Sequence, residues 1–81
     1  MAETARGEAI ARALQLLREL LAGPVSAGEL AARLGWGIRT VHRDIAAMAR
    51  AGIAVDEIRE GRRIAYRVRP ESILEALGID R

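Results

Sequence analysis

The 81-residue chain has no cysteine, no lysine and no phenylalanine, and it has one histidine, one tryptophan and one tyrosine. Without cysteine, disulfides and thiolate metal sites are excluded, and His42 alone cannot build a metal site. No apolar run approaches the roughly 20 residues that span a bilayer. The start of the chain also lacks a basic region followed by an apolar stretch. We therefore expect a cytoplasmic protein with no metal, no cofactor and no membrane segment.

Groups that would support catalysis are equally scarce. The acids are scattered singly along the chain, no Gly-rich phosphate loop is present, and no nucleophile stands beside a base. Catalysis by acid–base or nucleophilic groups needs such residues to converge in a pocket. We therefore expect that the chain is not an enzyme.

The composition that is present is that of a folded domain with unevenly placed charge. Hydrophobic residues make up 51% and charged residues 30% of the chain, which is ordinary for a globular protein. The formal net charge is only +2, but residues 38–69 carry eight arginines and four acids. All thirteen cations are arginine, which suits bidentate phosphate contacts and is equally explained by the codon bias of a GC-rich genome.

A long first helix is predicted from about Glu3 to Ala22, where Gly23 and Pro24 end the helical pattern. One apolar stripe at helical spacing defines it, namely Ile10, Leu14, Leu17 and Leu21. A second stripe consists of Ala9, Leu16 and Leu20. We expect this second stripe, with the C-terminal helix, to face another copy of the chain, because one small module would struggle to cover it.

Two further helices follow, joined by a tight turn that contains glycine. Ser26 and Glu29 have the spacing of a capping box, which begins a short helix that ends at Gly35. A third helical pattern runs from Ile38 to Ala51. Two short helices in this arrangement form a helix-turn-helix, in which the second helix enters the DNA major groove.

The third predicted helix has an apolar face and a basic face. Val41, Ile45 and Met48 fall on one stripe, and the opposite side presents Arg39, Arg43, Ala46 and Arg50. Thr40 and His42 flank the basic side and are placed to reach phosphates or base edges. In an arbitrary helical domain such a stripe is more often a solvated helix face, but here the preceding turn and the following hairpin favour DNA contact.

After Gly52 the pattern changes from helical to alternating, which predicts a hairpin, here called the wing. Its strands are 53–58 and 63–68, with the turn around Glu60 and Gly61. Ile64, Tyr66 and Val68 are expected to point inward, and Arg63, Ala65 and Arg67 outward. The wing arginines predicted to contact the DNA backbone or minor groove are Arg59, Arg62, Arg63 and Arg67. The other interpretation is that they only keep an edge hairpin in solution.

A family resemblance is carried by residues 23–35 (GPVSAGELAARLG), 39–45 (RTVHRDI) and 51–55 (AGIAV). Over about residues 10–68 the chain resembles the N-terminal winged helix-turn-helix (HTH type 11) of DeoR-like and WYL-domain bacterial transcriptional regulators. The resemblance implies DNA contact by Arg39, Thr40, His42 and Arg43. It departs at Gly37, where the family usually has a serine cap, and at Trp36, which replaces a small aliphatic residue. The family typically continues into a ligand-sensing or oligomerising C-terminal domain, whereas the sequence here ends at Arg81, so no small-molecule effector is inferred.

Several single residues allow two interpretations. Trp36 is expected to fill the core or, alternatively, to be partly exposed near DNA or a partner. His42 is either a direct DNA contact or a bystander. Asp44 is expected to form a structural ion pair with an arginine such as Arg33 or Arg50, rather than to contact a DNA base.

The sequence thus predicts a mainly α fold with a small β-hairpin, a winged helix-turn-helix over residues 1–69. Residues 70–81, with a short helix from Pro70 to Gly78, are expected to be a dimerisation element or a linker. The expected function is sequence-specific binding of double-stranded DNA as a small transcriptional regulator, a repressor that reads an inverted repeat as a homodimer. The alternative is a protein–protein interaction module without specific DNA binding.

Overall fold

The computed structural model describes the backbone of residues 2–79 and the side chains of residues 7–79. Met1, at the start of the predicted segment 1–69, and Asp80 and Arg81, at the end of the predicted segment 70–81, lie outside the described residues. The elements in chain order are α1 (Ala2–Ala22), β1 (Val25–Ser26), α2 (Ala27–Leu34), α3 (Ile38–Arg50), β2 (Val55–Glu60), β3 (Arg63–Val68) and α4 (Pro70–Leu77). The strands form one antiparallel sheet in the order β1-β3-β2. This is the predicted winged helix-turn-helix.

Local capping explains where α2 begins and ends. The Ser26 Oγ accepts a hydrogen bond from the Glu29 N–H at 3.1 Å, and the Glu29 carboxylate accepts one from the Ser26 N–H at 3.0 Å. The predicted capping box is therefore confirmed. At the other end Gly35 has a φ of 71°, a left-handed conformation in which a side chain is unfavourable. This glycine stops α2 and turns the chain toward α3.

The start of α3 is less well capped. Gly37 occupies the N-cap position with no side-chain hydrogen bond, as the missing hydroxyl predicts. The neighbouring Trp36 is partly buried and packs against the core, which supports its interpretation as a core residue. The helix ends at Arg50, and Ala51 is its C-cap.

The core lies between α1, the helix-turn-helix and one face of the sheet. Val41, Ile45 and Met48 are buried as predicted. They pack with other buried apolar side chains, namely Leu16, Leu20, Val25, Ala27, Leu30 and Val68. Burial of each large aliphatic side chain contributes roughly 1.5–3 kcal/mol of hydrophobic stabilisation.

The structure buries the leucines of the second α1 stripe, for which a contact with another copy was predicted, and of the first stripe only Leu17 packs against the core among the described residues. Leu16 and Leu20 are fully buried in the core, whereas Ile10 is 62% and Leu14 57% exposed. Leu21 is also exposed. Both stripes fit the helical period, but the fully buried side chains of α1, Leu16 and Leu20, lie in its C-terminal half. None of the described side chains in residues 7–15 is fully buried. The dimer surface predicted on Leu16 and Leu20 is therefore wrong.

The sheet contains a strand that the sequence pattern did not predict. β1 has only two residues, and Val25 and Ser26 pair with Tyr66 and Ala65 of β3. Ala65 of this central strand was predicted to point outward; it is fully buried, but it lies outside the core to which Tyr66 and Val68 belong. The predicted first strand began at Ile53, whereas β2 begins at Val55.

The C-terminal helix α4 forms as predicted. Pro70 occupies its first turn, and Gly78 ends it with a φ of 71°. The Ser72 Oγ donates a hydrogen bond to the Arg69 carbonyl at 2.8 Å, which satisfies this buried hydroxyl. Ile73 packs against the core, whereas Leu77 and Ile79 are exposed.

Candidate nucleic-acid interface

The exposed side of α3 presents three guanidinium groups along one stripe. Arg39, Arg43 and Arg50 are exposed, and we call them the arginine face. They lie opposite the buried stripe of the same helix because a helix advances about 100° per residue. Ala46 lies between Arg43 and Arg50 and is also exposed. Thirteen residues make α3 about 20 Å long, which is enough for several side chains to reach into a groove.

Ion pairing separates the arginines into two groups. Within the described part of the chain, no carboxylate pairs with Arg39, Arg43 or Arg50 of the arginine face. The same holds for Arg59 and Arg62 at the wing turn, and for Arg18 on α1. The arginines that have carboxylate partners are Arg12, Arg33, Arg63, Arg67 and Arg69. The unpaired positive charge is therefore concentrated on α3 and the wing turn.

Asp44 shows how α3 is held against α1. Its Oδ2 lies 2.6 Å from the Arg12 Nε, and its side chain is only 13% exposed. A structural pairing of Asp44 with an arginine was predicted, but the partner is Arg12 on α1. Arg33, one of the predicted partners, pairs instead with Glu19 at 3.0 Å. Arg12 thus neutralises the one acid of α3, whose charge would otherwise repel a phosphate backbone near Arg43.

The wing turn places two predicted contact residues at its tip. Gly61 adopts a φ of 63° between the paired residues Glu60 and Arg63. Arg59 and Arg62 are exposed there. The structure thus brings Arg59 and Arg62 together at the wing turn, where both side chains are exposed.

The two other predicted wing contacts are engaged within the protein. Arg63 donates from Nη1 to the Glu60 carboxylate at 2.6 Å and from Nη2 to the Glu29 carboxylate of α2. The Arg67 Nε lies 3.5 Å from Asp56, whose carboxylate also pairs with Arg69 at 3.1 Å. Arg63 and Arg67 therefore carry less free charge than their sequence positions suggest.

A shallow cleft separates α3 from the wing. A cavity of about 260 Å³ is lined by residues that include His42, Ala46, Glu57 and Tyr66. The His42 and Tyr66 rings meet edge to face, with centroids 6.4 Å apart and an interplanar angle of 81°. His42 is exposed and Thr40 half-buried. Four of the residues predicted to touch DNA, Arg39, Thr40, His42 and Arg43, thus share the first half of α3.

Sequence reasoning missed the acids that organise this surface. Glu29 was interpreted only as a capping residue, and Asp56 was not assigned a role. The pKa of Glu29 is lowered from 4.5 to about 2, first by the hydrogen bond from the Ser26 N–H and then by that from Arg63. No local spacing signals these pairs, because Glu29 and Arg63 are 34 residues apart.

Other kinds of site find no support in the described residues. Over residues 7–79, whose side chains are described, no group of three or more His, Asp or Glu residues is arranged to hold a metal ion. In the same part of the chain, every helix is too short or too polar to cross a membrane.

The model of the HTH domain family (type 11) matches residues 12–63, which is more than half of the chain. The match spans the second half of α1, the helix-turn-helix and most of the wing. No curated protein sequence matches the chain at a significant level. The more specific resemblance to DeoR-like and WYL-domain regulators stays a prediction.

Several solved structures share the whole fold. A homodimeric winged helix-turn-helix DNA-binding domain from Mycobacterium bovis, a possible ArsR-family transcriptional regulator, is 30% identical with a TM-score of 0.68, over 95% of this chain and 73% of that chain. Reduced HlyU from Vibrio cholerae is 25% identical with a TM-score of 0.65, over 95% and 92%. An ArsR-like transcriptional regulator from Rhodococcus is 24% identical with a TM-score of 0.67, over 96% and 78%, which shows the fold alone. The chain belongs to the HTH domain family, and its family and fold are those of DNA-binding transcription regulators.

Proposed function

We propose that the chain binds double-stranded DNA sequence-specifically, with α3 in the major groove and the wing along the backbone or minor groove. Arg39, Thr40, His42 and Arg43 contact base edges or nearby phosphates. Arg50, Arg59 and Arg62 neutralise phosphates. Residues 1–69 are the DNA-binding unit in this proposal, and residues 70–81 contribute to assembly.

The observation that carries this proposal is the division between paired and unpaired arginines. If a protein binds no anionic partner, we expect its surface arginines to pair with acids of the protein wherever these lie within reach. Here Arg12, Arg33 and Arg67 pair with carboxylates, whereas those of the arginine face have no carboxylate partner among the described residues. A surface that leaves its guanidinium groups free on one helix is suited to an anionic partner with a groove.

We also propose that the active form is a homodimer that reads an inverted repeat and represses transcription by blocking the polymerase. The surface available for this is the α1 apolar face, which we define as Ile10, Leu14 and Leu21. Beside it lies an apolar cavity of about 430 Å³ between α1 and α3, lined in part by Leu14 and Met48. None of the described side chains of α1 in residues 7–15 is buried, and an isolated helix of this length is marginal in water. A second copy of the chain would cover the α1 apolar face and would support the N-terminal part of α1. The similar domain from Mycobacterium bovis is a homodimer.

The dimer has a geometric consequence for the operator. Two copies of α3 that enter successive major grooves on one side of the duplex lie about 34 Å apart, or one helical turn. The two half-sites are then inverted and centred about 10 base pairs apart. Selection of bound sequences from a random duplex pool tests this spacing directly.

DNA binding itself is tested by titration of a labelled duplex at increasing salt. We expect the logarithm of the affinity to fall linearly with the logarithm of salt, with a slope of about −0.9 for each phosphate neutralised. Replacing Arg39 and Arg43 together by Ala should abolish sequence preference while circular dichroism shows an intact fold. Arg18→Ala is the matched control, because it removes an exposed, unpaired arginine from α1 rather than from α3.

The alternative function is a winged-helix module that docks onto proteins. A folded protein that does not bind duplex DNA at low salt would refute our proposal and favour this alternative. Light scattering that finds only monomer, free and on DNA, would refute the dimer while leaving DNA binding intact.

A further inference from the structure

We infer that Arg63 is a positioning residue that fixes the wing against α2, and that the DNA contacts of the wing turn come from Arg59 and Arg62. The inference rests on the proposed DNA binding and deepens it. Arg63, Arg62 and Arg59 are all exposed arginines at the same turn. From the sequence alone, all three are therefore predicted to contact DNA, and only their contacts in the structure distinguish them.

Arg63 bridges two acids that belong to different parts of the fold. Its Nη2 donates to Glu29 in the first turn of α2, and its Nη1 donates to Glu60 at the end of β2. The hydrogen bond and charge of Glu29 raise the pKa of Arg63. The same Glu29 carboxylate also accepts the Ser26 N–H. A continuous chain of hydrogen bonds thus joins the cap of the helix-turn-helix to both strands of the wing.

The position of this bridge follows from the strand register. β1 pairs with β3 through Val25 with Tyr66 and Ser26 with Ala65. Continued by two residues, the ladder would bring Arg63 beside Gly28, but there the backbone has already turned into α2. The ladder therefore ends short of the wing turn. The Glu29–Arg63 ion pair joins the two segments where backbone hydrogen bonds no longer do.

Arg62 provides the comparison within the same turn. It is the preceding residue, and within the described part of the chain no carboxylate pairs with it. A phosphate that approaches Arg62 interacts with a guanidinium charge that no carboxylate neutralises. A phosphate that approaches Arg63 must compete with two carboxylates, so its contribution to DNA binding through direct charge is small.

The decisive experiment is Glu29→Gln, because two roles for Arg63 predict opposite signs. Gln keeps the capping box, in which Glu and Gln both serve, but it removes the ion pair. If Arg63 holds the wing, the affinity for duplex DNA should fall, by about two- to fivefold for an exposed ion pair. If Arg63 contacts phosphate, its release from Glu29 and the loss of a negative charge should raise the affinity. A rise would overturn the inference.

The salt dependence gives a second readout with a matched control. Arg62→Gln should reduce the slope of log affinity against log salt by about 0.9 for each bound subunit, because a phosphate contact is lost. Arg63→Gln should weaken binding but leave the slope unchanged. The double variant Glu29→Gln with Arg63→Gln should bind like Arg63→Gln alone, since both changes remove the same interaction. Equal slope changes for Arg62→Gln and Arg63→Gln would overturn the inference.

A measurement without DNA separates this inference from the proposed function. Amide relaxation measured by NMR on the free protein should show residues 60–63 more mobile in Glu29→Gln and Arg63→Gln, and unchanged in Arg62→Gln. If the wild-type chain ignores DNA but the wing loosens in this pattern, DNA binding fails and the positioning role stands. An unchanged wing in all three variants overturns the positioning role.

Discussion

Replacing Leu16 by alanine tests which face of α1 forms the core. Leu16 is fully buried between α1 and the rest of the domain. Truncation of such a leucine costs 2–5 kcal/mol, so we expect a loss of about 3 kcal/mol in the free energy of unfolding. For a domain of this size each kcal/mol lowers the melting temperature by about 4–8 °C. The variant should therefore melt roughly 12–24 °C below the wild type.

Leu14→Ala is the matched control on the same helix, because Leu14 is 57% exposed. The residue is already largely in water, so we expect a loss of about 1 kcal/mol or less in dilute solution. If the α1 apolar face joins two copies, the loss for Leu14→Ala should grow with protein concentration. The loss for Leu16→Ala, in contrast, arises within one copy.

Both variants are best compared by thermal and urea unfolding followed by circular dichroism, at two concentrations about 100-fold apart. Equal losses for Leu14→Ala and Leu16→Ala in the dilute sample would refute the packing described above. The two stripes would then contribute alike, and the exposed face of α1 would not be free to join a second copy.

Three further outcomes follow from the caps and turns. Gly37→Ser should raise the free energy of unfolding by a few tenths of a kcal/mol, seen in urea melts, because a serine caps α3 and a Cβ at Gly37 meets no atom within 4 Å. Gly35→Ala should lower it by about 1 kcal/mol in the same assay, because a φ of 71° disfavours a side chain. Ionised Glu29 stabilises the fold fully above pH 4.5, and this is lost as the pH falls toward about 2. NMR titration of Arg63→Gln should find the pKa of Glu29 raised but still below 4.5, because the Ser26 N–H remains.

Much of this fold is predictable because its signals are local. The Ser26 and Glu29 spacing defines the start of α2, glycines mark its end, and the alternating pattern after Gly52 defines the wing. The apolar stripe of α3 is unambiguous because its opposite side is charged. The exposed side of α3 follows from this stripe, and so does the arginine face.

The predictions failed where the answer depends on contacts between distant residues. Leu14 and Leu16 both fit the helical period, and only the packing of α1 against the sheet decides between them. β1 is too short to show an alternating pattern, so the burial of Ala65 was not visible either. The partner of Asp44 lies 32 residues away on α1, and no local rule selects Arg12 over Arg33.

The two-residue strand β1 has a consequence for protein engineering. It inserts the segment between α1 and α2 into the same sheet as the hairpin, so that Val25 and Tyr66 are neighbours. The hairpin therefore cannot be exchanged independently of the rest of the fold. Its replacement by the hairpin of another protein would remove the pairing partner of β1, the strand that leads directly into α2. A transplanted hairpin should be accompanied by a matching sequence at Val25 and Ser26.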